Sequence, residues 1–245
     1  MKILAVIPAR YQSQRFPGKP LVRLGERPMV QWVYEAACQC SLFDRVVVAT
    51  DNDKIADCVR EFGGNVEMTR DDHPSGTDRV AEVAERYRDM EVVANVQGDQ
   101  PFVTPESLVH LLEPYVRGEM PEMTTLGCPL ESDGDYQDAN TVKVVCDVGG
   151  HALYFSRAPI PYYRNRGVAP VYHHLGLYAF RQDFLAEYAK LTPTPLEQCE
   201  GLEQLRVLEH GYAIRVCQTE KAAIEINTPE DLEKATSYIA KGLKS

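Results

Sequence analysis

Three short apolar runs constrain the fold of this chain most strongly. They are KILAVIPA (2–9), RVVVATD (45–51) and EVVANVQGD (91–99). Runs that are rich in Val, Ile and Ala without polar alternation are typical of strands buried on both faces, as in a parallel sheet. Apolar residues recur at helical spacing in the segments between them. This alternation predicts a doubly wound, mostly parallel α/β fold, with a nucleotide-binding core over residues 1–118.

The pattern changes after residue 118. Four short candidate strands among turns and prolines predict a smaller mixed, β-rich region over residues 119–190. Residues 191–245 are predicted to return to the core through a helix that ends at Gly211, a strand and a closing helix. Thr228 and Asp231 fit a capping box at the start of that closing helix.

Composition argues against several classes of protein. A formal net charge of -10 disfavours a nucleic-acid-binding protein, because phosphate backbones require a basic surface. The apolar start of the chain is too short for a signal peptide, and no stretch approaches the roughly 18 apolar residues of a membrane span. Seven cysteines without a C-x-x-C motif predict neither a disulfide framework nor a zinc site. We therefore expect a soluble cytoplasmic protein without membrane or nucleic-acid partners.

A cationic loop, PARYQSQRFPGKPL (8–21), follows the first predicted strand and contains Arg10, Arg15 and Lys19. Ligands of open α/β sheets bind at this end of the strands. The loop matches neither G-x-x-x-x-G-K-[ST] nor G-x-G-x-x-G, which argues against both common glycine-rich phosphate loops. Two interpretations remain open: a clamp of arginine and lysine side chains for a polyanion, and an ordinary solvated loop.

A second candidate group, Asp99, follows the third buried strand in NVQGDQP (95–101). A carboxylate is a hard oxygen ligand that suits Mg²⁺, which commonly holds phosphates through one or two protein carboxylates. An aspartate in a turn before a proline is the other interpretation. Cations after one strand and an acid after another together favour binding of a metal–triphosphate.

The order of the motifs resembles one family, the 3-deoxy-manno-octulosonate (Kdo) cytidylyltransferases, or CMP-Kdo synthetases. The resemblance extends through nearly the whole chain and includes the two loops above, ATD (49–51), SGTDR (75–79), ALYFSRAPIPYYR (152–164), HLGLYAF (174–180), LEQLRVLEHG (202–211) and NTPEDL (227–232). It implies an enzyme that transfers CMP from CTP to the anomeric hydroxyl of Kdo, releases pyrophosphate and serves lipopolysaccharide biosynthesis. A Mg²⁺ cofactor and a homodimer are implied as well.

The resemblance also implies roles for individual residues. Arg10, Lys19 and Asp99 would be catalytic through positioning and charge stabilisation, without a covalent nucleophile. The residues that match nucleotide-binding positions are Arg10, Arg15, Lys19, Arg79 and Gln97. Those that match the sugar-acid pocket are Arg157, His174, Tyr178, Glu203 and Gln204. Without the resemblance, a surface ion pair for Arg157 and the polar face of a helix for Glu203 and Gln204 would be the preferred interpretations.

One position departs from the family pattern. Asn227 stands where the family motif D-T-x-E-D has an aspartate that binds metal. An amide oxygen binds Mg²⁺ without charge, and asparagine caps helices as well as aspartate does. We hypothesise that Glu225 compensates, because residues 225 and 227 share a face if the segment is extended. The substitution leaves open another acidic sugar (8-amino-Kdo or a sialic-acid-like one) and a non-catalytic nucleotide-binding homologue.

Overall fold

The computed structural model describes residues 1–12, 16–130, 132–165, 167–222, 224–226 and 228–240. Its strands are β1 Ile3–Pro8, β2 Arg23–Leu24, β3 Arg27–Pro28, β4 Arg45–Thr50, β5 Val66–Met68, β6 Val92–Asn95, β7 Met123–Pro129, β8 Lys143–Cys146, β9 Ala152–Ser156, β10 Tyr172–Arg181 and β11 Ile214–Gln218. Its helices are α1 Met29–Gln39, α2 Asp53–Glu61, α3 Gly76–Ala84, α4 Pro105–Val116, α5 Asp133–Gln137, α6 Gln182–Tyr188, α7 Pro195–Glu200, α8 Leu205–Glu209 and α9 Pro229–Ala240. None of these helices is both long enough and apolar enough to cross a membrane.

Two compact units divide the chain. The first comprises Met1–Val109 and Ala223–Ser245, and the second comprises His110–Ala222. These bounds differ from the predicted segment boundaries at residues 118 and 190. The division into residues 1–118, 119–190 and 191–245 therefore stays a prediction.

The first unit is built on a parallel sheet. β1 pairs with β4 on one side and with β6 on the other, and β4 pairs with β5. All six residues of β1 are buried, as its continuous apolar run predicted. The strand order β6–β1–β4–β5 changes direction at β1, as in doubly wound α/β folds, where ligands bind at such a point. The predicted fold class is confirmed.

Helix positions in the first unit follow the local sequence signals. α1 and α2 bury apolar residues at helical spacing, namely Val30, Val33, Ala37, Ile55 and Val59. At the start of α9, the Thr228 amide donates to Asp231 Oδ2 at 2.9 Å, and the Asp231 amide donates to Thr228 Oγ1 at 3.2 Å. The predicted capping box is therefore confirmed.

An apolar cluster packs α9 and the residue Ile226 before it against the rest of the first unit. Leu24 and Met29 pack there with Phe102, Ile226 and Ala235, and all five residues are buried. Ile226 precedes α9 and Ala235 lies within it. Burial of these side chains fixes the closing helix beside the loop that follows β6.

The second unit is mixed and β-rich, as predicted. β7 pairs antiparallel with β10 and parallel with β11, while β8 pairs antiparallel with β10 and β9. The prediction of one helix ending at Gly211 is wrong, because α7 ends at Glu200 and α8 starts only at Leu205. Gly201 between them has a φ of 63°, a left-handed conformation that ends a helix. Apolar periodicity on both sides of the break concealed it.

Candidate active site

A cavity of about 270 Å³ lies where β1 and β6 end, and Arg10, Lys19, Gln97 and Asp99 line it. Lys19 Nζ donates a hydrogen bond to Asp99 Oδ2 at 2.9 Å, although the two residues are 80 positions apart. The Lys19 side chain is 12% exposed and that of Asp99 is 34% exposed, so the pair is partly shielded from water. Four residues predicted for the nucleotide and for catalysis therefore meet at one cavity.

Close approach of two strand ends builds this cavity. A Cβ atom on Gly98 would lie 2.8 Å from the carbonyl oxygen of Pro8, which is closer than side chains tolerate. Glycine at this position thus allows the loop carrying Asp99 to lie against the end of β1. In the cationic loop, the amide of Gly18, directly before Lys19, donates to the Tyr11 carbonyl at 2.8 Å.

A second cavity, of about 720 Å³, shares Arg10 with the first and is lined also by Tyr11, Asp51 and Arg79. Arg79 is 1% exposed, and its Nη1 lies 3.0 Å from Asp51 Oδ1. It also donates to the Thr69 hydroxyl. Burial lowers the pKa of Arg79, and the carboxylate of Asp51 opposes that shift. The two residues form a partly buried ion pair in the wall of the cavity.

The segment directly before α9 bonds to the backbone of Asp99 and to the side chain of Gln100. The Ile226 amide donates to the Asp99 carbonyl at 3.1 Å, and Gln100 Nε2 donates to Glu225 Oε1 at 2.8 Å. Glu225 is exposed, and its orientation is set by the buried Gln100. Arg15 and Asn227 lie outside the described residues, so the predicted face shared by residues 225 and 227 stays a prediction.

Three residues predicted for the sugar acid lie together inside the second unit. His174, Tyr178 and Gln204 are 6%, 4% and 1% exposed. Gln204 therefore does not lie on a solvent-facing helix surface, while Glu203 is half-buried. Burial and the neighbouring His173 lower the pKa of His174 to about 3. Its imidazole is neutral near pH 7 and serves as a hydrogen-bonding group.

Backbone carbonyls hold the predicted sugar-acid arginine. Arg157 Nε donates to the Glu200 carbonyl at 2.8 Å, and its Nη1 donates to the Ala139 carbonyl at 3.0 Å. The Arg157 carbonyl in turn accepts from the Nζ of Lys143 at 2.7 Å. Lys143 is fully buried, and desolvation lowers its pKa. These bonds fix the direction in which the guanidinium group of Arg157 points.

Comparison with known proteins identifies the family. A family model described as cytidylyltransferase matches residues 4–221. The 3-deoxy-manno-octulosonate cytidylyltransferase of Acaryochloris marina (strain MBIC 11017) is 74% identical over 245 residues, which is 100% of each chain. This chain belongs to the 3-deoxy-manno-octulosonate cytidylyltransferase family.

Further members support this assignment. The 3-deoxy-manno-octulosonate cytidylyltransferase of Synechococcus elongatus (strain ATCC 33912 / PCC 7942 / FACHB-805) is 56% identical and covers 97% of this chain and 98% of its own. A solved structure of CMP:2-keto-3-deoxy-manno-octonic acid synthetase complexed with CTP has a TM-score of 0.95 and 41% identity. That likeness covers 99% of this chain and 100% of the other.

For a cytidylyltransferase of this family, the donor atoms at the first cavity fit a magnesium ion. Asp99 offers a partly exposed carboxylate, and the Ile226–Asp99 backbone bond keeps the segment of Glu225 next to it. Mg²⁺ prefers oxygen ligands and commonly uses one or two carboxylates, completing its coordination with phosphate and water. Such a site does not require three or more clustered acidic, histidine or cysteine side chains, and none occur in the described part of the chain.

Sequence reasoning assigned no role to Asp51 or Thr125, although both contact predicted site residues of this cytidylyltransferase. Asp51 follows β4 directly, so the rule that ligands bind at strand ends was a usable signal. Thr125 lies inside β7, where threonine is a common strand residue, and nothing local distinguishes it. Its significance depends on a hydrogen bond to a residue 49 positions away.

Proposed function

We propose that this chain transfers CMP from CTP to the anomeric hydroxyl of Kdo and releases pyrophosphate, as a nucleotidyltransferase of lipopolysaccharide biosynthesis. The observation that carries the proposal is the Lys19–Asp99 pair of 2.9 Å beside Arg10 at the strand ends. Two cations and a carboxylate are the groups that a metal–triphosphate requires. The 74% identity to the Acaryochloris marina 3-deoxy-manno-octulosonate cytidylyltransferase supports the choice of reaction.

On the nucleotide side, Arg10, Arg15 and Lys19 bind the triphosphate. Guanidinium groups pair with phosphate oxygens in two-point contacts, while the ammonium group acts as a compact charge. Gln97 and the buried Arg79 lie in the walls of the two cavities that share Arg10, and we assign them to the cytidine. Preorganised cations of this kind stabilise the charge that develops during phosphoryl transfer.

We assign the magnesium ion to Asp99, with Glu225 and Asn227 as further oxygen donors. When bound, the ion offsets the negative charge on the phosphate groups. Lys19 holds the Asp99 carboxylate in a defined orientation, and Gln100 does the same for Glu225. The chain therefore presents charged oxygen donors without needing to reorganise them.

On the sugar side, Arg157 binds the carboxylate. The polar residues assigned to the hydroxyls are His174, Tyr178, Glu203 and Gln204. The anomeric hydroxyl attacks the α-phosphorus, and the bond to pyrophosphate breaks, so no covalent enzyme intermediate is required. The neutral imidazole of His174 acts through the side chains that it bonds, because its one donor and one acceptor nitrogen both face protein groups. We further propose a homodimer that works in the cytoplasm.

The test is pyrophosphate release from CTP and Kdo by wild type and variants. Asp99→Asn keeps the side-chain volume but removes the charge, so we expect turnover to fall at least about a hundredfold. Lys19→Ala should raise the KM for CTP about tenfold and leave the KM for Kdo within about twofold. The matched control is Asp89→Asn, whose aspartate pairs with Lys2 at 2.8 Å on the surface. It should keep wild-type turnover.

Normal turnover of Asp99→Asn would refute the catalytic role assigned to that carboxylate. Wild-type protein should also be assayed with 8-amino-Kdo and a sialic acid. Release with only one of these would reassign the substrate, and this outcome would fit the substitution at Asn227. Absence of release with every sugar acid would favour a non-catalytic nucleotide-binding protein.

A further inference from the structure

A chain of hydrogen bonds runs through the buried polar residues of the second unit. The Tyr178 hydroxyl donates to Gln204 Oε1 at 3.2 Å, and Gln204 Nε2 lies 3.4 Å from His174 Nδ1. His174 Nε2 lies 2.9 Å from Thr125 Oγ1. The chain ends where Thr125 Oγ1 donates to the Leu177 carbonyl at 2.7 Å. Within this group of hydrogen-bonded residues, Thr125 contacts the imidazole directly. It has no role in the function proposed above.

The direction of these bonds follows from the last one. A carbonyl can only accept, so the single hydroxyl proton of Thr125 points to Leu177, and Oγ1 must accept from the imidazole. His174 is therefore protonated on Nε2 and bare on Nδ1. A bare Nδ1 accepts from the amide nitrogen of Gln204, which turns Gln204 Oε1 towards Tyr178.

A register shift between β10 and β7 allows the Thr125 side chain to make two of these hydrogen bonds. The pairing of β10 with β7 shifts its register between His174 and Tyr178. Residues near such an irregularity leave the regular alternation of the strand, and their side chains are re-aimed. Thr125 can consequently contact both the imidazole of His174 and the carbonyl of Leu177.

We propose that Thr125 is a positioning residue for the sugar acid. It selects the Nε2-protonated tautomer of His174, and through that tautomer it fixes which way the Gln204 amide faces. The inference rests on the proposed function, because His174, Tyr178 and Gln204 are the groups assigned to the sugar hydroxyls. Without the Thr125 hydroxyl, the imidazole can take the other tautomer, and the amide of Gln204 must then turn over to match it.

The strand offers a matched control for a purely structural role. Thr124, the preceding residue, is also fully buried, and its hydroxyl donates to the Leu111 carbonyl at 2.8 Å. Thr124→Val therefore removes the same kind of buried hydroxyl-to-carbonyl bond as Thr125→Val. Thr125→Ser is the rescue variant, because it retains the hydroxyl and removes only a methyl group.

Kinetics provide the first measurement. In pyrophosphate release, Thr125→Val should raise the KM for Kdo about tenfold, because a buried polar group loses its partner. The KM for CTP should stay within about twofold. Thr125→Ser and Thr124→Val should keep the KM for Kdo close to the wild-type value. If Thr125→Val does not give folded protein, Thr125→Cys replaces it, since a thiol is a much weaker acceptor.

The tautomer itself provides the second measurement. Two-bond ¹⁵N–¹H spectra of protein labelled in histidine should show His174 protonated on Nε2 in the wild type, Thr125→Ser and Thr124→Val. In Thr125→Val the signals should invert or average. An unchanged tautomer in Thr125→Val would overturn the inference, as would an unchanged KM for Kdo or an equal effect of Thr124→Val. Failure of the proposed function is separate, because wild-type protein would then release no pyrophosphate while the spectra still report the tautomer.

Discussion

Replacement of Gly98 by alanine tests how closely the two strand ends must approach. The new Cβ would lie 2.8 Å from the Pro8 carbonyl oxygen, whereas ordinary contacts begin at about 3.4 Å. The nearest atom belongs to the backbone, so no side-chain rotation can relieve the clash. Overpacking of this kind costs about 1–3 kcal/mol of stability.

The displacement also acts on the candidate active site. Pro8 lies two residues before Arg10, and Gly98 lies directly before Asp99, so separation of the backbones moves the two charged groups apart. A misplacement approaching about 1 Å can reduce a reaction rate roughly a hundredfold, so we expect a turnover loss of about ten- to a hundredfold.

Urea unfolding and pyrophosphate release measure the two effects of Gly98→Ala. Gly76→Ala is the control for stability, since its Cβ would meet the ring of the same Pro8 at 3.5 Å, an ordinary contact. We expect that variant to unfold within about 0.5 kcal/mol of wild type. Wild-type stability and turnover in Gly98→Ala would refute the reasoning that close approach requires glycine there.

Two further predictions concern buried titratable groups. Because the pKa of His174 is lowered from 6.5 to about 3, the unfolded chain takes up a proton between these values that the native protein does not. This contribution to the free energy of unfolding is complete above pH 6.5 and falls by up to about 1.4 kcal/mol per pH unit below it. His174→Gln should flatten that dependence in urea titrations, and an identical slope in both proteins would contradict the shift. Burial raises the pKa of Cys146 to about 11 and that of Cys217 to about 12, so iodoacetamide at pH 8 should modify the exposed Cys199 before these two thiols. Peptide mass spectrometry measures these rates, and equal rates would contradict the prediction.

Local signals predicted much of the fold. The continuous apolar runs predicted the buried parallel strands β1, β4 and β6, because a strand covered on both faces needs no polar alternation. The Thr228–Asp231 spacing predicted the start of α9, because a capping box is formed by residues that are close in sequence. Helical spacing failed at Gly201, where one left-handed residue interrupts an otherwise continuous pattern.

The sequence also predicted some residues of the candidate site and missed others. The strand-end rule located Arg10, Lys19 and Asp99, and the family resemblance gave them a ligand. Neither predicted that Gln204 would be buried, because its burial depends on strands far along the chain. No role was assigned to Asp51 from the sequence, because its contact with Arg79, 28 positions away, depends on tertiary packing.

By itself, the sequence determined which segments become strands and helices and which charged loops follow the strands. Those properties depend on residues within a few positions of one another, where periodicity, caps and turns act. Only the tertiary structure decided that Lys19 pairs with Asp99 and that Thr125 sets the direction of a buried hydrogen-bond chain. Such contacts join residues tens of positions apart, and their geometry follows from strand order, register and close packing, which no local pattern encodes.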